Sequence, residues 1–82
     1  MPLTVSMRRE SKGRRGREVT ILAGLAPLGD AKVAELASEL KRACGTGGTV
    51  EPGGAIVLQG DRRDAAQAIL AARGYLVKRT GG

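Results

Sequence analysis

The chain has 82 residues, with 14 Lys/Arg against eight Asp/Glu, a net charge of +6 and no histidine. Its length allows one small domain, residues 1–82, and its 18 Leu/Val/Ile with neither Phe nor Trp give a thin core, too small for a deep cofactor pocket. Without histidine it lacks the commonest general base and metal ligand, and the single Cys44 can form neither an internal disulfide nor a multi-cysteine metal site.

Leu3-Thr4-Val5-Ser6-Met7 alternates apolar and polar residues, the pattern of a half-buried strand. Met1 to Met7 is too short and uncharged for a secretory signal, and no apolar run is long enough to span a membrane. A cytoplasmic protein without membrane attachment is expected. Between Arg8 and Arg17 lie Arg8, Arg9, Lys12, Arg14, Arg15 and Arg17, opposed only by Glu10. This stretch holds +5 of the net charge, while the rest of the chain is nearly neutral. Ser11, Gly13 and Gly16 break it, so it reads as a loop, residues 8–17, between two antiparallel strands. The second strand is the β-branched and apolar run Val19-Thr20-Ile21-Leu22-Ala23.

Charge confined to one loop makes a strong local field, suited to a phosphate backbone. The bland reading is a solvated loop that aids solubility. Tyr75 is the only aromatic ring, so stacking on unpaired bases is a poor fit. Folded RNA, read through backbone and shape, is the expected partner.

Pro27-Leu28-Gly29-Asp30 reads as a loop ending in an N-cap, Asp30. From Ala31 to Cys44, the residues Val33, Leu36, Ala37, Leu40 and Ala43 recur at helical spacing. Lys41 and Arg42 complement the dipole of the last turn, and Gly45 supplies a left-handed stop. Lys32, Glu35, Glu39 and Arg42 form a mixed outer face that reads as solvated surface. The turn Gly45-Thr46-Gly47-Gly48 leaves a helix instead of opening one and lacks a following Lys-Ser/Thr pair, so it is not a nucleotide-binding loop. Thr49-Val50-Glu51 and Ala55-Ile56-Val57-Leu58-Gln59 form a hairpin around Pro52-Gly53-Gly54.

Gly60-Asp61 opens a second helix, with Asp61 as N-cap and Asp64 in the first turn. Ala65, Ala68, Ile69 and Ala72 share one face, widened by Ala66 and Leu70. Gly74 ends the helix, and Tyr75-Leu76-Val77-Lys78-Arg79 is the last strand, followed by a short tail, 80–82. The order β-β-α-β-β-α-β predicts an α+β two-layer sandwich, a mixed sheet of about five strands with two helices on one face. No catalytic constellation is present in the sequence. Cys44 has no histidine partner and lies at a helix C-terminus that disfavours a thiolate, and the acidic residues read as caps and surface positions, with no metal cluster. An enzyme, a cofactor and a metal are not expected.

Two stretches, Cys44-Gly45-Thr46-Gly47-Gly48-Thr49-Val50 and Leu58-Gln59-Gly60-Asp61-Arg62-Arg63, resemble the signature segments of the translation initiation factor 1 family, also called the suppressor-of-initiator-codon family. Arg17-Glu18-Val19-Thr20-Ile21-Leu22-Ala23-Gly24-Leu25 and the basic loop before it match as well, so the resemblance runs from about Arg8 to Tyr75. The near absence of an N-terminal tail and the short glycine turn resemble the stand-alone bacterial and archaeal members.

The resemblance implies the same mixed sheet with two helices, and a protein that binds the small ribosomal subunit beside the peptidyl site. Its RNA, the initiator tRNA and the mRNA are the implied partners. Nothing in the sequence demands a dimer, and a monomer is expected. Carried over by position, Lys12, Gly13, Arg14 and Arg15 form the tip of an RNA-binding loop that also includes Arg8, Arg9 and Arg17. Asp61 and Arg63 match a motif tied to start-site fidelity, with Gly45, Gly47, Gly48, Gln59 and Gly60 completing the family pattern. Two other readings remain: a sulfur carrier or modifier that uses the terminal Gly81-Gly82, and a general RNA chaperone.

Overall fold

In the computed structural model, which describes residues 2–11 and 17–81, strand β1 (Thr4–Glu10) buries Val5 and Met7 and turns Thr4, Ser6 and Arg8 to the opposite face. That is the two-residue alternation of a pleated strand. β1 pairs antiparallel with β2 (Val19–Ala23), setting Ser6 against Ala23 and Glu10 against Val19. Arg8 and Arg9, expected in the loop, are therefore strand residues. Long charged side chains are tolerated on an uncovered sheet face, and here Arg8 Nε donates to Glu10 Oε2 at 3.2 Å along that face.

The hairpin of β3 (Gly48–Val50) and β4 (Ile56–Gln59) joins β2 through β4, and β5 (Leu76–Arg79) adds to the far side of β1 in parallel. The strand order is β3-β4-β2-β1-β5, a mixed sheet with β2 at its centre. Central placement explains why Val19, Thr20, Ile21 and Leu22 are all buried. Beyond β5, Thr80 N–H still donates to Met7 O at 2.9 Å.

Leu25 is buried just before a single 3-10 turn, Ala26–Leu28, and helix α1 (Asp30–Cys44) follows. Asp30 is not the N-cap: Gly29 takes that position at φ 87°, and Asp30 is the first helical residue, with no side-chain capping bond. A positive φ that glycine adopts without strain turns the chain in one residue, and the Asp30 carboxylate still lies in the first turn where the dipole favours it. Val33, Leu36, Ala37 and Leu40 are buried as expected. Ala43 is exposed, and Cys44 is half-buried in its stead, because the stripe continues from Leu40 by a step of four. Gly45 closes the helix in the left-handed conformation (φ 62°, ψ 39°), and Thr46 N–H reaches back to Lys41 O at 3.0 Å.

Helix α2 (Arg63–Ala72) begins two residues later than Asp61, with Arg62 as its flanking residue and no side-chain cap. Its buried face is Ala66 and Leu70, with Ile69 half-buried, whereas Ala65, Ala68 and Ala72 are exposed. An alanine methyl carries too little area to set the roll of a helix, so the larger Leu70 and Ile69 decide it. Both helices lie on the sheet face that presents Val5, Met7, Leu22, Ile56 and Leu58, and together they close one core, with the half-buried Tyr75 packed against its edge. On the other face, Val19, Ile21 and Val57 form a small second cluster. The architecture is a two-layer α+β sandwich. Among the described residues, no helix is long and apolar enough to cross a membrane.

Candidate nucleic-acid interface

The stem of the basic hairpin is held by ion pairs on both faces of the sheet. Arg9 Nη1 lies 3.5 Å from Glu18 Oε2, and Arg8 is paired with Glu10; all four side chains remain substantially exposed. Exposed pairs of this kind contribute about 0–1 kcal/mol, so a phosphate can compete for either arginine. Arg17 is exposed. Lys12, Gly13, Arg14 and Arg15 lie outside the described residues, as does Gly82.

The two glycine-bearing stretches, with seven residues between them in sequence, meet in space. Thr46 Oγ1 donates to Gln59 O at 2.9 Å, and Gln59 N–H donates to Gly47 O at 2.9 Å. A Cβ on Gly48 would stand 2.6 Å from Val57 O and 3.1 Å from Leu58 Cδ2, so only glycine lets β3 approach β4 here. The Gln59 amide packs beside Gly47, about 3.6 Å from where its Cβ would be. Gly47, Gly48 and Gln59 thus serve to join two turns.

Where β4 ends, the chain crosses to the strand that leaves the basic hairpin. Gly60, at φ 85°, donates its N–H to Glu18 O at 2.7 Å. The Thr20 hydroxyl donates to Gly60 O at 2.8 Å and accepts Arg62 N–H at 2.8 Å. Thr20 is the one buried polar side chain among the described residues, and this pair of bonds accounts for its burial. In the sequence it stands as one strand residue among β-branched neighbours. The signal was a hydroxyl on the core-facing side of an apolar strand, which requires a partner.

Beyond this clamp, Asp61 and Arg63 face each other. Arg63 Nε donates to Asp61 Oδ1 at 2.8 Å and Arg63 Nη2 to Oδ2 at 3.0 Å. The Arg63 hydrogen bonds hold the Asp61 carboxyl below the usual carboxylate range, with a smaller contribution from the Arg9 charge. Asp61, expected as an N-cap, instead orients this guanidinium. Its contact with Arg63 N–H is long, 3.4 Å. Asp61 to Ala65 also line a shallow cleft against Ala43 and Cys44 at the end of α1. Partial burial pushes the Cys44 thiol up, against the lowering effect of Arg62, so it is protonated at neutral pH. Among the described residues, no three His, Cys, Asp or Glu side chains are grouped to hold a metal ion.

These features define a small α+β protein in which a cationic hairpin and a Gly-Asp-x-Arg turn share one end of a five-stranded sheet. The family described as translation initiation factor SUI1 matches residues 2–76. The chain is 44% identical over 78 residues to a protein of Escherichia coli strain K12 described as "Uncharacterized protein YciH", covering 95% of this chain and 70% of that one. It is 40% identical over 67 residues to a "Protein translation factor SUI1 homolog" of Picrophilus torridus, covering 82% and 67% of the two chains. With the protein of the same description from Sulfurisphaera tokodaii, identity is 45% over 64 residues, 78% of this chain and 62% of the relative. The chain belongs to the SUI1 family of translation initiation factors.

Proposed function

We propose that the protein binds the small ribosomal subunit near the peptidyl site through the basic stretch 8–17 and influences the pairing of start codon and initiator tRNA. The observation that carries this is the fastening of the Gly60–Arg63 turn to the stem of the basic hairpin, at Glu18 and Thr20. It joins the cationic element to the residues of the second family motif as one unit. Arg14, Arg15 and Arg17 supply backbone contacts, since a planar guanidinium can pair two phosphate oxygens at once. Arg63, oriented by Asp61, stands at the same end of the sheet as this cationic element. Discrimination then follows from sterics: the loop fits an open subunit and clashes with a fully seated tRNA. A factor that binds the open state better shifts the population toward it, and only a correct codon–anticodon pair overcomes that bias.

Co-sedimentation with purified small and large subunits at two salt concentrations tests this. About five phosphate contacts make affinity fall on the order of 10³-fold between roughly 50 and 200 mM salt. Binding confined to the small subunit, salt-sensitive, and lost in a folded R14A/R15A/R17A variant is the expected result. Equal binding to both subunits indicates a general RNA binder. Binding to neither removes the ribosomal reading.

A further inference from the structure

We infer that Thr20 is a positioning residue: its hydroxyl fixes the Gly60–Arg63 turn to the central strand and so sets where Asp61 and Arg63 stand relative to the basic hairpin. Thr20 lies on β2, two residues from Glu18, whose carbonyl takes the Gly60 N–H at 2.7 Å. From there the chain leaves the β2–β4 ladder, whose last paired residues are Val19 and Gln59. A departing chain has no ladder partner of its own, and the Thr20 hydroxyl provides both halves of one. It gives a proton to Gly60 O and receives one from Arg62 N–H, each at 2.8 Å. The hydroxyl is used fully, as donor and as acceptor, with Thr20 wholly buried.

The anchored amide is the peptide unit between Asp61 and Arg62, adjacent to the Asp61–Arg63 pair. A fixed Arg62 amide restricts the backbone on which both charged side chains are mounted. Valine at position 20 keeps the branched shape but loses the hydroxyl, leaving a carbonyl and an N–H without partners. Serine keeps the hydroxyl. The functional arm of the test rests on the small-subunit reading above; the other two arms do not.

Amide hydrogen exchange, Asp61 carboxyl titration by NMR and small-subunit affinity are compared in wild type, T20V, T20S and V33A, the last a core variant on α1. In wild type, the Arg62 amide is protected as a strand amide is. Exchange at the rate of an exposed amide overturns the inference without any variant, and keeps it testable should T20V not fold. In T20V that protection is lost, the Asp61 titration moves up toward the ordinary carboxylate value, and affinity falls about tenfold. T20S restores all three, and V33A leaves the Asp61 titration and the affinity near wild type. An unmoved Asp61 titration in T20V, or an equal shift in V33A, assigns Thr20 a merely structural role and overturns the proposal. If wild type binds no subunit, the functional reading fails, while exchange and titration still decide the positioning role.

Discussion

Arg63 holds Asp61 by both carboxylate oxygens, Nε to Oδ1 at 2.8 Å and Nη2 to Oδ2 at 3.0 Å. The two residues are separated by one position, and the pair keeps a guanidinium in one orientation at the start of α2. Its electrostatic signature is an Asp61 carboxyl held below its ordinary value, chiefly by the Arg63 hydrogen bonds. A carboxyl depressed in the folded state contributes stability above its unfolded pKa of about 3.9, and loses it as pH falls through the folded value. NMR titration of wild type therefore gives an Asp61 midpoint below that of an unfolded peptide, and R63Q raises it. An unchanged midpoint in R63Q shows that the pair is absent in solution.

Adjacent glycines of the first turn respond in opposite ways to the same methyl group. Gly48→Ala places its Cβ 2.6 Å from the Val57 carbonyl, part of the β3–β4 backbone, where no side chain can swing away. Overpacking of this kind costs about 1–3 kcal/mol. Gly47→Ala meets only the Gln59 amide at ordinary contact, about 3.6 Å, and lowers the freedom of the unfolded chain. Urea denaturation shows a large loss for G48A and a change within about 1 kcal/mol for G47A. Equal losses would mean that a Cβ at Gly47 is also sterically blocked.

Strand and helix order were legible because Val5/Met7 and Val33/Leu36/Leu40 repeat at the two distinct periods that a strand and a helix impose. The pairing of β1 with β2 followed from a single short connection. Strand order was not legible, since the parallel placement of β5 beside β1 rests on contacts remote in sequence. Neither aspartate expected as a cap takes that place: Gly29, one residue earlier, turns the chain into α1, and at α2 the Thr20 hydroxyl, remote in sequence, holds the Arg62 N–H. The motif residues Gly47, Gly48 and Gln59 could be named from the sequence, but their mutual packing could not. Thr20 was hidden by its strand context: a β-branched residue among β-branched neighbours fits the strand whether or not its hydroxyl has a task.

The roll of α2 is open to direct test. Leu70 is fully buried beside Ala66, while Ala68 points to solvent. Leu70→Ala removes buried methyl groups and leaves a cavity, at a cost of about 2–5 kcal/mol. Ala68→Ser lies on the exposed face and changes stability by no more than about 0.5 kcal/mol. Thermal and urea unfolding of the two variants separate this orientation from the alanine-faced one, in which Ala68→Ser would bury a hydroxyl and cost more than about 0.5 kcal/mol.

On the proposed reading, Glu18 and an RNA phosphate compete for Arg9. The Glu18 carboxylate lies 3.5 Å from the Arg9 guanidinium, while its backbone carbonyl separately holds the Gly60 N–H. Glu18→Gln removes the negative charge and leaves that backbone bond in place. An exposed pair of this kind is worth about 0–1 kcal/mol, so folding stability changes little. Arg9 is then released to meet a phosphate. Affinity for the small subunit rises about threefold at low salt, and one more phosphate contact steepens the slope of log K against log salt by roughly 0.7–0.9. Anisotropy titrations at four salt concentrations, with wild type and E18Q side by side, read both quantities. A slope identical in the two proteins removes Arg9 from the interface and leaves its pair with Glu18 as a feature of the hairpin stem.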